Sequence, residues 1–129
     1  MSIETELAPD LPIVSGDRVQ LQQVLLNLIM NAIEATKDVS GPRESRVSAR
    51  RGNADQLLVS VSDTGVGLPD NADEIFKAFV TTKADGTGMG LAISRSIIES
   101  HGGRLWAESN DGPGATFCFR LAETAAEHA

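Results

Sequence analysis

The segment Gln23-Val24-Leu25-Leu26-Asn27-Leu28-Ile29-Met30-Asn31-Ala32 decides the fold class, because it combines an apolar stripe with two amides on a different face. Apolar residues from Leu21 to Ile33 recur at helical spacings, which predicts an amphipathic helix that packs on a core. Asn27 and Asn31 are one turn apart, so their side chains share a face. A neutral amide oxygen there can bind Mg²⁺, although such pairs are also commonly solvated.

The ends of this helix are also predicted by the sequence. Asp17 is a typical N-cap, and Gln20 three residues later completes a variant of the capping box. The breaker Ser40-Gly41-Pro42 predicts that the helix ends at about Lys37. The helix should therefore carry a core stripe and an amide face along its whole length.

Two glycine-rich segments, together with the amide-bearing helix, make up the candidate site. In Asp63-Thr64-Gly65-Val66-Gly67, a strand-end carboxylate could accept from an exocyclic amine, while glycines permit close approach of a ligand. The alternative is an ordinary turn. Asp-Thr-Gly is also the signature of aspartic proteases, but this short chain carries a single copy, so we do not expect a protease. In Gly86-Thr87-Gly88-Met89-Gly90-Leu91, backbone amides open a helix and offer an anion site, with a flexible linker as the alternative. Together the three segments predict a nucleotide site.

The remaining elements predict an α+β order with hairpins. A second helix should run from Gly88 to His101 and end at Gly102-Gly103. The stretch 65–87 is long and turn-rich, which is typical of a functional loop. The predicted strands are Ile3–Leu7, Leu11–Val14, Arg46–Arg51, Gln56–Ser62, Arg104–Ser109 and Ala115–Leu121.

Composition narrows the class of protein. The chain has 129 residues, enough for one domain, and a net charge of −7, which argues against nucleic-acid binding. Its one cysteine, Cys118, excludes an internal disulfide and indicates a reducing compartment. The sequence contains no apolar run of membrane-spanning length and no signal peptide, so we expect a cytoplasmic domain without membrane contact. His101 is expected to have a structural role at a helix end, and His128 has no supporting context.

In these motifs, the chain resembles the ATP-binding catalytic domain of bacterial sensor histidine kinases, in the GHKL ATPase superfamily. Residues 27–35 look like the N box and residues 63–67 like the G1 box. Residues 76–83 resemble the F box and residues 86–91 the G2 box, in the order and spacing of the family. The sequences of these motifs are most similar to those of the subgroup that contains nitrogen-regulation and oxygen-sensing kinases. The resemblance implies a two-layer α/β sandwich with a mixed, mostly antiparallel sheet of about five strands and about three helices on one face.

The resemblance also implies roles for residues. Asn31 would hold Mg²⁺, Asn27 would help to place the phosphates, and Asp63 would accept from the adenine amino group of ATP. Gly65, Gly67 and Thr116 would shape the adenine end. The phosphates would meet Lys83 and the G2 segment: Gly86, Thr87, Gly88, Gly90 and Leu91. Asn27, Asn31 and Lys83 would thus be catalytic. Phosphoryl transfer depends mainly on positioning and charge stabilisation, so this set is chemically sufficient.

The resemblance further implies partners and a reaction. Residues 1–121 would form the catalytic domain, with 122–129 a disordered tail. The γ-phosphoryl group would pass to a histidine on a separate dimerisation domain and then to a response regulator, and the isolated domain would be a monomer. No such histidine setting occurs in this chain, so an excised domain and a partner acting in trans both stay open, as does a membrane-anchored parent.

Three alternatives follow from the same residues: an anti-sigma-type serine kinase, a non-enzymatic nucleotide-switched module, and a gyrase-like hydrolase. Asn27 stands where the hydrolytic branches carry a glutamate, and an amide is a poor base. We therefore expect slow hydrolysis and transfer to another acceptor.

Overall fold

The computed structural model describes residues 2–9, 16–37, 41, 43–52, 56–68 and 88–122. Within these ranges one sheet contains five strands in the spatial order β1-β2-β3-β5-β4. The β1–β2 pair is parallel, and the other three pairs are antiparallel. The elements are β1 (Ser2–Leu7), α1 (Arg18–Thr36), β2 (Glu44–Arg51), β3 (Gln56–Asp63), α2 (Gly88–Ser100), β4 (Arg104–Ser109) and β5 (Ala115–Ala122).

One face of the sheet is apolar and is covered by both described helices. Strand alternation puts Val59 and Val61 of β3 beside Phe117 and Phe119 of β5, and all four are buried. The core stripe of α1 packs on them through residues such as Leu28, which is 1% exposed. The other face of the sheet carries none of the described helices, and in this sense we call it the helix-free face. This is the two-layer arrangement that the family resemblance implies.

Local hydrogen bonds fix the start of α1. The Asp17 carboxylate Oδ1 accepts from the Gln20 backbone N–H at 3.0 Å, as expected for an N-cap. The helix ends at Thr36, with Lys37 as the C-cap. Both boundaries confirm the sequence prediction.

A Schellman motif closes α2. Gly103 N–H donates to the Ile98 carbonyl at 2.9 Å, and Gly102 N–H donates to the Glu99 carbonyl at 3.0 Å. Gly102 has φ +78°, a left-handed conformation that glycine adopts without a Cβ penalty. The predicted cap at these two glycines is therefore confirmed.

His101 links the end of α2 to the beginning of α1. Its Nε2 accepts the Asp17 backbone N–H at 3.0 Å, so this nitrogen carries no proton. Nδ1 then donates to the Ile97 carbonyl at 2.8 Å. The neutral imidazole thus joins two helix termini that are 84 residues apart in the chain. The predicted structural role is confirmed, through a tertiary contact rather than through the helix dipole.

The remaining predictions divide according to what the structure describes. The five predicted strands other than Leu11–Val14 are present. β1 begins one residue earlier than predicted, at Ser2, and β2 begins two residues earlier, at Glu44; β3 and β5 each end one residue later, at Asp63 and Ala122. The Leu11–Val14 strand, most of the 65–87 loop, any third helix and the tail after Ala122 lie outside the described residues.

Cys118 is buried, and desolvation raises the pKa of its thiol, which agrees with an unreactive side chain. No helix in the described part of the chain is both long and apolar enough to cross a membrane.

We expect His101→Ala to destabilise the fold, because the Asp17 N–H and the Ile97 carbonyl lose their shared partner. One such hydrogen bond contributes about 1 kcal/mol, which lowers Tm by roughly 3–6 °C in a domain of this size. Thermal unfolding followed by circular dichroism measures the effect, and the same substitution at His128 is the control. An unchanged Tm in His101→Ala would contradict the proposed link between the helices.

Candidate functional site

The carboxylate of Asp63 lies at the end of β3 and is 3% exposed. Its Oδ1 accepts from Gly65 N–H at 2.8 Å and from Ala115 N–H at 3.4 Å. The first bond holds the turn that follows β3, and the second reaches the neighbouring strand β5. A buried carboxylate needs such partners, and these two also fix its orientation.

Glycines allow the backbone to close around Asp63. A Cβ on Gly114 would lie 1.9 Å from the Asp63 carbonyl oxygen, and Gly114 has φ +92°. A Cβ on Gly65 would lie 2.3 Å from the Ala35 carbonyl oxygen in α1. Both distances are far below any van der Waals contact, so only glycine fits at either position without a backbone shift. Gly67 has φ +82°, which also favours glycine.

The amide face of α1 touches both glycine segments. Asn27 Nδ2 donates to the Gly90 carbonyl at 3.3 Å and to Ser94 Oγ at 3.1 Å, which joins α1 to α2. Two turns later the Ala35 carbonyl accepts from Val66 N–H at 3.2 Å, which joins α1 to the turn after Asp63. Asn31 lies between these contacts, one turn from each, on the same helix face. The structure thus brings the first two predicted segments together with residues 88–91, the described part of the third.

Asn31 and Asn27 differ in their surroundings. Asn31 is half-buried, and its side chain makes no hydrogen bond within the described residues. The amide nitrogen of Asn27 is held by α2, where Ser94 is completely buried. Asn27 therefore positions the start of α2 through its amide nitrogen, and within the described residues neither its Oδ1 nor the Asn31 side chain accepts a hydrogen bond.

Asn110 is a site residue that the sequence indicated only as part of a turn. Its Nδ2 donates to the Asp63 carbonyl at 2.9 Å, and its Oδ1 accepts from Thr116 Oγ1 at 2.6 Å. Thr116 is paired with Ser62 and lies on the helix-free face of the sheet, opposite to Ala115. The expectation that Thr116 itself shapes the Asp63 pocket therefore needs correction, because strand alternation turns its side chain away. Its contribution passes through Asn110, and Ala115 is the residue of β5 that reaches the carboxylate.

The other predicted residues are placed as follows. Leu91 is 6% exposed and belongs to the hydrophobic core, so its side chain is a packing group. Gly88 begins α2 and Gly90 follows it in the first turn, with the carbonyl of Gly90 bound to Asn27. Lys83, Gly86 and Thr87 lie outside the described residues.

The chemistry of the donor set decides whether a metal ion fits. Across the described ranges, no group of three or more His, Cys, Asp or Glu side chains is placed to hold a metal ion. Mg²⁺ does not require such a cage, since it usually keeps several waters and takes one or two protein ligands together with phosphate oxygens. One amide oxygen from Asn31 fits that second pattern.

An apolar cavity of ≈490 Å³ lies elsewhere, between the first half of α1 and the sheet. Leu25, Val59 and Phe119 are among its lining residues, and none of the predicted site residues borders it. It offers neither a carboxylate nor paired amides. The candidate site therefore remains the region around Asp63 and Asn31.

A two-layer sandwich with a carboxylate at a strand end, glycine turns and an amide-bearing helix defines a class of nucleotide-dependent ATPases. Residues 16–125 match the family of histidine kinase-, DNA gyrase B- and HSP90-like ATPases. The chain belongs to this family.

Among similar proteins are sensor histidine kinases. The chain is 50% identical over 122 residues to the sensor protein FixL of Bradyrhizobium diazoefficiens, covering 94% of this chain and 24% of FixL. It is 43% identical over 112 residues to the sensor histidine kinase ZraS of Escherichia coli, covering 86% and 23%. The chain thus spans about a quarter of the length of these relatives.

Solved structures give the same result. The full-length ShkA structure, determined in complex with AMPPNP, superposes with a TM-score of 0.81 at 34% identity, covering 97% of this chain and 26% of ShkA. A nucleotide-free structure of the catalytic domain of the histidine kinase ThkA gives 0.77 at 38% identity, covering 95% and 78%. The fold is that of a histidine kinase catalytic domain.

We expect Gly114→Ala to disrupt the site, because its Cβ would collide with the Asp63 carbonyl and φ +92° would be strained. Backbone strain of this kind costs about 1–3 kcal/mol, so Tm should fall by several degrees. Gly112→Ala is the matched control, since no atom lies within 4 Å of a Cβ built there. Thermal unfolding of both variants measures the difference, and equal Tm values would contradict the close approach.

Proposed function

We propose that this chain is the ATP-binding catalytic domain of a sensor histidine kinase. In this proposal it binds ATP with Mg²⁺ and transfers the γ-phosphoryl group to a histidine on a separate dimerisation domain, in two-component signalling. A response regulator then receives the phosphoryl group. The buried, oriented carboxylate of Asp63 carries the proposal, and the family and the named relatives support it.

The adenine end is assigned to Asp63. Its carboxylate would accept from the adenine amino group, because Gly65 and Ala115 hold it in one orientation. Gly65 and Gly114 let the backbone pack against Ala35 and Asp63, which holds the carboxylate in place, and Gly67 is included at this end from its place in the turn. Asn110 supports this end by holding the Asp63 carbonyl, and Thr116 holds Asn110.

The phosphate end is assigned to the face of α1 and the start of α2. Asn31 would hold Mg²⁺, which when bound neutralises phosphate charge and orients the transferred group. Asn27 fixes the first turn of α2 through Gly90 and Ser94, so the amides of Gly88 and Gly90 would face the phosphates at a helix N-terminus. We include Lys83, Gly86, Thr87 and the backbone of Leu91 in this group from their positions in the sequence.

Asn27 also bears on the choice between hydrolysis and transfer. Its side-chain nitrogen is occupied by Gly90 and Ser94, and an amide cannot remove a proton from water at neutral pH. The gyrase-like alternative needs a base near the γ-phosphate. Slow ATP turnover by the chain alone is therefore part of the proposal, and robust turnover would favour the alternative.

We expect Asp63→Asn to weaken ATP binding by at least about 100-fold. The amide is isosteric but has only one oxygen, and Gly65 N–H and Ala115 N–H keep that oxygen as their acceptor. The amide nitrogen then faces the adenine amino group, so two donors meet and the buried acceptor for the amine is lost. Isothermal titration with an ATP analogue measures the affinity, and circular dichroism checks the fold. Unchanged affinity in a folded Asp63→Asn chain would remove the adenine role from this residue.

The transfer reaction is tested with radiolabelled ATP, the chain, and the histidine-bearing dimerisation domain of its own kinase. We expect acid-labile, base-stable label on the dimerisation domain, lost with Asp63→Asn and with replacement of the acceptor histidine. Acid-stable label on a serine-bearing antagonist protein would instead support the anti-sigma-type kinase. A nucleotide-competent chain that labels neither substrate would support the non-enzymatic switching module.

A further inference from the structure

The helix-free face of the sheet carries a row of arginines that the nucleotide site does not use. Strand register aligns Arg50 of β2, Leu58 of β3, Arg120 of β5 and Arg104 of β4 directly across four strands. We call these four residues the cationic row. With about 4.8 Å between neighbouring strands, the row is about 14 Å long. Asp63 and the helices lie on the other face of the sheet.

Trp106 supports two members of the row. The Arg104 guanidinium carbon lies 5.3 Å from the Trp106 ring centroid, and that of Arg120 lies 5.9 Å from it. A cation–π contact positions a guanidinium by its flat face and leaves edge N–H groups as donors. Trp106 itself is anchored, since its Nε1 donates to Glu108 Oε2 at 2.7 Å. The two guanidinium groups are thus held in place, with donors to spare.

The positive charge of the row is not neutralised by ion pairs, although one carboxylate, that of Glu108, is bonded to Trp106 beside it. Within the described residues, Arg50, Arg104 and Arg120 form no ion pair. Arg46 on the same face does, since its guanidinium nitrogens lie 3.4 Å from a carboxylate oxygen of Glu4 and 3.8 Å from one of Glu6. Arg104 and Arg120 are directly opposite each other, and like charges in that relation are destabilising. The chain as a whole has a net charge of −7. Arg50 and Arg104 are exposed and Arg120 is half-buried, so the cationic row offers guanidinium groups to an anionic partner.

We propose that the cationic row docks an acidic segment of a partner protein. Carboxylates of Asp or Glu engage the N–H forks of Arg104 and Arg120, Trp106 and Leu58 supply apolar contact, and Arg50 extends the charge to β2. Carboxylates match the planar fork of arginine by paired hydrogen bonds. A nucleic acid is disfavoured as occupant, because three arginines over about 14 Å can neutralise only a few phosphates of a long polymer. A short acidic segment needs only as many carboxylates as the row has guanidinium groups. This surface is independent of nucleotide binding.

The test uses Trp106 as its own reporter, since it is the single tryptophan of the chain. The whole chain is titrated with a glutamate hexapeptide at low ionic strength, where exposed ion pairs are least screened. We expect a saturable change in tryptophan fluorescence, confirmed by isothermal titration. Arg104→Gln combined with Arg120→Gln should weaken binding by about tenfold, as for the loss of two exposed charge pairs.

Two further variants make the test specific. Arg46→Gln removes an arginine of the same face that already has acidic partners, and it should leave the affinity within about twofold. Arg104→Lys combined with Arg120→Lys keeps the charge but removes the fork, so its affinity should lie between wild type and the Gln double variant. Circular dichroism establishes that each variant is folded.

Four results would overturn the proposal. They are the absence of a saturable response to the hexapeptide, an equal loss in Arg46→Gln, and a response to inorganic phosphate as strong as that to the peptide. The fourth is a dimer of the unliganded chain that dissociates in the Gln double variant, because it would assign the cationic row to a second copy.

Discussion

The site depends on one interaction: the buried Oδ1 of Asp63 accepts hydrogen bonds from two backbone N–H groups. The Gly65 amide belongs to the turn after β3, and the Ala115 amide belongs to the first residue of β5. One carboxylate therefore fixes where two elements meet. Because the group is 3% exposed, losing either bond would leave buried polarity unsatisfied, so the geometry is strongly favoured. An orientation set by the fold is available to a ligand without further ordering.

Helix α1 transmits this local order to the rest of the domain. One stripe of the helix packs on the sheet, and the amide face next to it contacts α2 through Asn27 and the turn after Asp63 through Ala35. At the far end, His101 joins the start of α1 to the end of α2. The two helices are thus joined at both ends of their contact. The separation between the Asp63 region and the start of α2 is accordingly set by the length of α1 between Asn27 and Ala35.

The local features of the sequence predicted most of the fold. Helical spacing and the Asp17 cap located α1, and the two glycines after His101 located the end of α2. Contacts between distant residues could not be predicted in this way. The bond from Asp17 to His101 and the support of Asp63 by Asn110 depend on tertiary packing, which no short segment encodes. Thr116 shows a related limit: adjacent strand residues face opposite sides, and the motif alone does not fix which of Ala115 and Thr116 points inward.

The two faces of the sheet separate two kinds of chemistry. The helix-covered face ends in Asp63 and the glycine turns, where a buried carboxylate suits a small, flat ligand. The helix-free face displays fixed guanidinium groups on a tryptophan, which suit an exposed acidic surface. β3 carries Asp63 and Leu58, and β5 carries Ala115 and Arg120, so these two strands connect the two surfaces. Binding at one face is nevertheless not required for binding at the other.

The most direct test of the central claim is amide chemical-shift mapping of the chain during titration with an ATP analogue and, separately, with the corresponding GTP analogue. We expect the ATP analogue to shift the Gly65 and Ala115 amides most, together with Asn110. The GTP analogue should cause much smaller changes, because guanine carries a carbonyl oxygen where adenine carries its amino group. Shifts centred on the apolar cavity near Leu25, or equal responses to both nucleotides at Gly65 and Ala115, would contradict the account.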